Sequence, residues 1–350
     1  MEAYSGLLER TRVPQPSFQR FAVIQIFEKL RSNPPHLNPD SDPGREAITQ
    51  CLNSSSPAVV DQAVHELCRL VKRSKINISS ALLELQSALE ECNPRLVDVF
   101  VKGIGFLVRF GFHSGHFDGR GFVDAPENHP FVKVLCRPEV QNELVEQIVL
   151  FVVHSKQHGI QEVCEYLKPL VTFSILRGCS SGSFPSFWRL LISSLVSLYC
   201  SLLDEANPLF EMLISCLRCF PCGSIEDFTN AVIFSEFLVD AHMVVLRRLA
   251  AAGLVVDAAQ LSGVKLLDSL LTVCLDFEKH SVGSKPILGL LGRLLSVWKE
   301  LGLHYVSEMS YPALSLFAIL IQLDLEDEGL YLLNLLRSFL RWKIEDGKKS

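Results

Sequence analysis

A chain of 350 residues that is 48% hydrophobic and only 21% charged, with a mean hydropathy of +0.26, carries too much apolar surface for a disordered segment and must bury a large core. Its formal net charge of −6 excludes the broadly basic surface with which proteins grip phosphate backbones unaided, so nucleic acid is not the expected partner. Eleven cysteines, an odd number spread through apolar patterns, read as reduced thiols serving as small buried hydrophobes rather than as a disulfide framework.

The opening MEAYSGLLERTRVPQPSF has no basic stretch followed by an apolar one, so no signal peptide is read there and an intracellular location is expected. From there on, apolar residues recur at helical spacing and strand-like alternation is nearly absent. The pattern predicts helices near 16–31, 43–53, 57–73, 79–91, 94–110, 138–157, 160–176, 185–203, 207–220, 224–251, 257–278, 286–301, 311–322 and 327–342. Pro, Gly, Ser and Asn clusters at 32–44, 53–57, 91–94, 205–208 and 222–224 punctuate them, each offering a polar cap before a first-turn proline or a glycine stop.

Residues 56–71 and 93–108 align without gaps at an offset of 37, with Ser56-Pro57 over Asn93-Pro94, Val60-Asp61 over Val97-Asp98 and Val64 over Val101. One further helix lies between the copies, so the repeating unit is a helix pair. A third start of this kind stands at Asn207-Pro208. A lone pair cannot bury its own apolar face, so neighbours must stack. The fold class expected is all-α, an α-solenoid of stacked helix pairs of the HEAT or armadillo kind. The expected organisation is a helical block over 1–110, a glycine-rich surface loop over 111–130, a second helical region over 131–342 and a disordered tail over 343–350. No run reaches the roughly 20 apolar residues of a membrane span; the uncharged stretches Leu190–Leu203 and Met309–Leu323 read as core helices.

Chemistry-bearing motifs are few, and each has a plainer reading. Gly103-x-Gly105 lies inside an apolar helix with no strand before it, which points to close helix packing and not to a dinucleotide turn. His113, His116, Asp118 and His129 share the long loop and could in principle gather a metal, but loop histidines are usually solvated. Gly178-x-Ser180-x-Gly182 matches a nucleophile elbow in letters only, since no sheet, oxyanion loop or ordered acid and histidine accompanies it.

Cys216, Cys219 and Cys222 repeat a C-x-x-C spacing. A helix runs into them, which sets any thiolate at the negative end of the dipole, and no fourth zinc ligand stands at knuckle spacing. The acidic turn at 324–329 lacks calcium-loop spacing. Basic groups at Arg69, Lys72, Arg73 and Lys75, and at Arg337, Arg341, Lys343, Lys348 and Lys349, read as solvated helix ends. L-x-x-L-L strings at 267–271, 291–295 and 332–336 read as buried leucines. No catalytic, cofactor or metal residue is assigned, and no enzyme activity is expected.

FAVIQIFEKLRS (21–32), PGREAITQCL (43–52), VVDQAVHELCRLV (59–71), LLELQSALE (82–90), VFVKGIGFLVRFGF (99–112) and ENHPFVKVL (127–135) together resemble the start of the plant FLIP proteins. These are interacting partners of the Fidgetin-like AAA ATPase. The resemblance implies a nuclear, non-enzymatic regulator of homologous recombination. It would act with that ATPase on RecA-like strand-exchange proteins to limit meiotic crossovers. Members of that family are longer, so the chain would correspond to an N-terminal portion. A generic adaptor of the HEAT or armadillo kind in transport or trafficking is the alternative that the residues alone allow.

Overall fold

Proline and asparagine set the helix starts. Pro57 occupies the first turn of one helix, and the side chains of Asn77, Asn93 and Ser224 accept from the backbone N–H groups of Ser79, Arg95 and Asp227 at 2.8, 3.0 and 3.1 Å. Two expected caps do other work. The Ser56 hydroxyl makes no cap and instead donates to Gln19 Oε1 at 2.7 Å, and Asn207 lies inside its helix behind the 3-10 turn Leu203–Ala206.

The computed structural model describes residues 2–301 except 33–42, 118–121, 123, 156–158, 181–186, 222 and 279–284. Among them are fourteen α-helices, short 3-10 turns and no strand. The helices are α1 (Glu2–Thr11), α2 (Pro16–Ser32), α3 (Pro43–Leu52), α4 (Pro57–Lys72), α5 (Ile78–Glu91), α6 (Val97–His113), α7 (Pro130–Val134) and α8 (Gln141–Val153), then α9 (Ile160–Ser180), α10 (Phe187–Leu202), α11 (Asn207–Leu217), α12 (Ile225–Ala251), α13 (Asp257–Glu278) and α14 (Lys285–Glu300). All the expected helices from 16 to 301 are present; those at 311–322 and 327–342, the 343–350 tail, the 332–336 string, the acidic turn and the last basic group lie outside the described residues. Helices α1 and α7 are additions. The first is short with a weak apolar stripe, and the second spans 5 residues, too few for periodicity to register.

The chain divides into two compact units, Met1–Gly159 and Ile160–Ser350. The expected break at 111–130 falls inside the first of these, because α7 packs on α5 and α6. In unit 1, helices α2, α4, α6 and α8 pack side by side as one layer, and α1, α3, α5 and α7 as the other; α1 packs on α2, α3 on α4 and α5 on α6. The same ladder recurs in unit 2, with α9, α11 and α13 in one layer and α10, α12 and α14 in the other. Each unit is therefore an all-α stack of helix pairs.

The 37-residue echo is this ladder in sequence form. Its two copies are α4 and α6 with the turn before it, adjacent members of one layer, and the aligned pairs Val60/Val97, Val64/Val101, Leu67/Ile104, Leu70/Leu107 and Val71/Val108 are all buried. Each such side chain contributes about 1.5–3 kcal/mol on leaving water. Close approach within the layer depends on glycine. A Cβ on Gly103 would stand 2.5 Å from Val64 Cγ1 of α4, and one on Gly105 2.5 Å from Gln147 Oε1 of α8, so this G-x-G lets α6 nestle against both neighbours. At the second contact Arg109 donates to Gln147 Oε1 (2.7 Å), and Gln147 Nε2 donates to buried Glu143 (2.7 Å), which also pairs with Lys102 (3.4 Å). This satisfies a polar group that would otherwise be costly to bury.

Candidate functional site

The cysteine motif sits where α11 ends. Cys216 is fully buried in the last turn, Cys219 is half-buried beyond it, and Cys222 lies outside the described residues. The Thr172 hydroxyl of α9 lies 3.9 Å from Cys216 Sγ and 3.8 Å from Cys219 Sγ. Burial pushes the Cys216 thiol up to about 12, and does the same to Cys51, Cys68 and Cys164. A reactive thiol needs the opposite shift. Nine of the cysteines are free thiols, and five of these, Cys51, Cys68, Cys164, Cys216 and Cys274, are buried as core hydrophobes. A thiol-labelling time course should therefore modify exposed Cys136 first and these five only after denaturation. Fast native labelling of Cys216 would show that the α9–α11 seam opens.

The other motifs are also absorbed by packing. Gly178 and Ser180 stand in the last turn of α9, not after a strand, and a Cβ on Gly178 would meet Trp188 Cδ1 at 2.4 Å. Gly182 and Asp118 lie outside the described residues. His116 is exposed, whereas His113 is half-buried with its ring edge-on to Phe112 and Phe151 at 5.8 and 6.3 Å. His129 departs from the expectation of a solvated loop residue. It is completely buried, its Nδ1 accepts from Phe131 N–H (3.2 Å) to cap α7, and its ring packs against Phe122 and Phe131. Among the described residues no three His, Cys, Asp or Glu side chains come together as a metal cluster. The leucines of the strings at 267–271 and 291–295 are buried.

Sequence inspection missed the polar centre of unit 2. Tyr199 of α10, Phe210 of α11 and His242 of α12 stack with nearly parallel rings, with centroids 4.3 and 5.2 Å apart, and His242 Nδ1 lies 3.5 Å from the Tyr199 hydroxyl. His242 Nε2 and Trp298 Nε1 are buried without a hydrogen-bond partner, and Gly263 of α13 backs both rings. Burial lowers the His242 pKa to about 3, so the ring is neutral. Its periodicity is that of any core residue, which is why nothing in the sequence marked it. Helix α12 is long and apolar enough to cross a membrane, yet it packs against α9, α10, α11, α13 and α14, which is how a core helix behaves.

What faces outward is a set of helix ridges held in register by ion pairs within each layer. In unit 1 these are Arg20–Asp61 (3.9 Å), Arg45–Glu84 (2.5 Å) and Lys102–Glu143. In unit 2 they are Arg218–Asp268 (2.7 Å), Lys265–Glu211 (2.6 Å), Arg247–Glu300 (3.0 Å) and Arg293–Asp240. Exposed pairs of this kind add about 0–1 kcal/mol each, so they fix register more than stability. The hollow between α1 and α3, lined by Tyr4, Leu8, Arg12, Glu46, Ala47 and Gln50, encloses about 170 Å³. That is below the roughly 300 Å³ at which small-molecule pockets begin. The described surface offers ridges along which contact could be made.

No curated protein matches the chain. A solved structure from work described as "A conserved phosphorylation switch controls the interaction between cadherin and beta-catenin in vitro and in vivo" aligns over 95% of this chain and 91% of that one at 14% identity; with a TM-score of 0.18 the likeness carries no argument. Residues 82–350 match the family described as Focadhesin/RST1, DUF3730, a span that runs from α5 through all of unit 2. The chain belongs to the Focadhesin/RST1 family.

Proposed function

We propose that the chain is a non-enzymatic scaffold that holds partner proteins on the exposed ridges of its helix pairs. The observation that carries this reading is the ladder. Each interior helix spends its apolar face on the opposite layer and on its layer neighbours, which leaves one outward-facing ridge per helix. The same packing encloses Cys216, Gly178 and His129, three of the motif residues that might have carried chemistry. The finer form of the reading, suggested by the resemblance of the N-terminal strings to the FLIP proteins, makes the partners a Fidgetin-like AAA ATPase and RecA-like recombinases in the nucleus. Family membership in Focadhesin/RST1 supports only the coarser scaffold.

Affinity purification of the whole chain followed by cross-linking mass spectrometry tests both levels. The scaffold reading expects cross-links from partner proteins on ridge residues. Absence of the ATPase and recombinases from the captured set would remove the recombination role, and catalytic turnover by the purified chain would remove the scaffold.

A further inference from the structure

In unit 1, α2 and α4 meet at their N-terminal ends through an ion pair, Arg20 to Asp61 at 3.9 Å, and through the Ser56 hydroxyl, which donates to Gln19 Oε1. Near their C-terminal ends the same two helices carry only exposed cations, Arg31 on α2 and Lys72 on α4. Immediately beyond, the α4–α5 turn adds exposed Arg73 and Lys75. It is held tight by Ser74 in the left-handed region (φ 55°) and by Ser74 N–H→Val71 O and Lys75 N–H→Leu70 O bonds of 2.8 and 3.0 Å.

None of these four cations has a carboxylate partner among the described residues. On the adjoining turns Glu66 is taken by Arg69 at 2.8 Å, and Glu28 lies one turn back on α2. Cations at a helix C-terminus offset the dipole, but one or two suffice for that. Four exposed cations gathered at two neighbouring helix ends exceed that need.

We propose that this edge of unit 1 binds an acidic segment of a partner protein, its carboxylates bridging Arg31 and Lys72 and reaching Arg73 and Lys75. The inference rests on the scaffold reading and deepens it by naming a surface and the chemistry of its occupant. Charge complementarity selects the occupant. Among the described residues no large apolar side chain is exposed between Phe21 and Leu83. The edge thus lacks the ring on which a nucleic-acid base would stack and the wedge that would enter a bilayer. The chain's net charge of −6 also repels polyanions longer than the patch.

The test uses the full chain and a fluorescein-labelled Glu-Ser repeat peptide, followed by anisotropy at low and physiological ionic strength. Expected are saturable binding that weakens with salt, a rise with peptide in the midpoint of the unit 1 transition, assigned by hydrogen exchange on α2 and α4 peptides, and loss of at least about tenfold in affinity when Arg31, Lys72, Arg73 and Lys75 are all changed to Glu. Arg95→Glu with Lys133→Glu, at exposed sites elsewhere in unit 1, should leave binding unchanged. A second variant guards against misfolding. Arg31→Gln with Lys72→Gln should keep or raise the midpoint while weakening the peptide, whereas a falling midpoint with no peptide binding by the parent chain would mean that the cations only cap helices. Equal binding of a single-stranded oligonucleotide or of phosphatidylserine vesicles would overturn the proposal. So would peptide indifference in a chain that still cross-links to partners along its ridges, an outcome that leaves the scaffold reading standing.

Discussion

Replacing Gly263 by valine should destabilise unit 2 by about 3 kcal/mol, the upper end of what overpacking a core usually costs. A Cβ at this position would lie 2.4 Å from His242 Nε2 and 2.8 Å from the Trp298 ring, so the first added carbon already collides with two rigid side chains. Neither ring can step aside. His242 is stacked on Phe210, and Trp298 is fully buried on α14. The clash would push α13 away from α12 and α14 together, because Gly263 is where the three helices converge. Gly289→Ala supplies the control. It sits exposed on α14 with nothing within 4 Å of its Cβ, and should stabilise the helix by about 0.5–1 kcal/mol through backbone entropy. Hydrogen exchange read on α13 and α14 peptides separates the two, which matters because a chain with two compact units has no single unfolding midpoint. Protection of α13 unchanged in Gly263→Val would show that the convergence has slack the packing does not suggest.

Acid should destabilise unit 2, and His242 should account for a defined part of the effect. In the folded chain burial holds its pKa near 3, while in the unfolded chain it returns to about 6.5. Above pH 6.5 the ring is neutral in both states and stability is untouched. Between pH 6.5 and 3 the unfolded state takes up a proton that the folded state refuses, so stability falls by about 1.4 kcal/mol per pH unit, roughly 2 kcal/mol between pH 7 and 5. His242→Phe keeps an aromatic ring in the stack and removes both the proton site and the partnerless Nε2. The variant should lose that part of the acid slope. Carboxylates elsewhere titrate equally in both proteins, so the difference between parent and variant isolates the histidine. An acid slope as steep in His242→Phe as in the parent would mean that water reaches the ring in the folded state.

How far the sequence could be read follows from the kind of information each feature needs. The G-x-G at 103–105 could be assigned to close packing because glycine inside an apolar helix has few other uses, and the structure supplies the partners, Val64 and Gln147. For the C-x-x-C-x-x-C string helix direction could be read, because the pattern runs into it, and Cys216 does stand in the last turn of α11. His129 could not be placed. Its burial depends on Phe122 and Phe131 folding over it, and a histidine in a glycine-rich stretch has the same letters whether it is solvated or enclosed. The basic group at 69–75 was visible, but that it shares a layer with the helix carrying Arg31, 41 positions before Lys72, depends on α2 packing against α4.

The sequence by itself determined twelve of the fourteen described α-helices, most of their ends and the need to stack. Each is written in local terms: a 3.6-residue period, a first-turn proline, an apolar face too large for one pair to hide. The tertiary structure alone decided where the chain divides, which glycine meets which ring, and which charges face one another across a seam. Those depend on the rotation and register of one helix against another, and that geometry is set by long-range packing that no window of neighbouring residues contains.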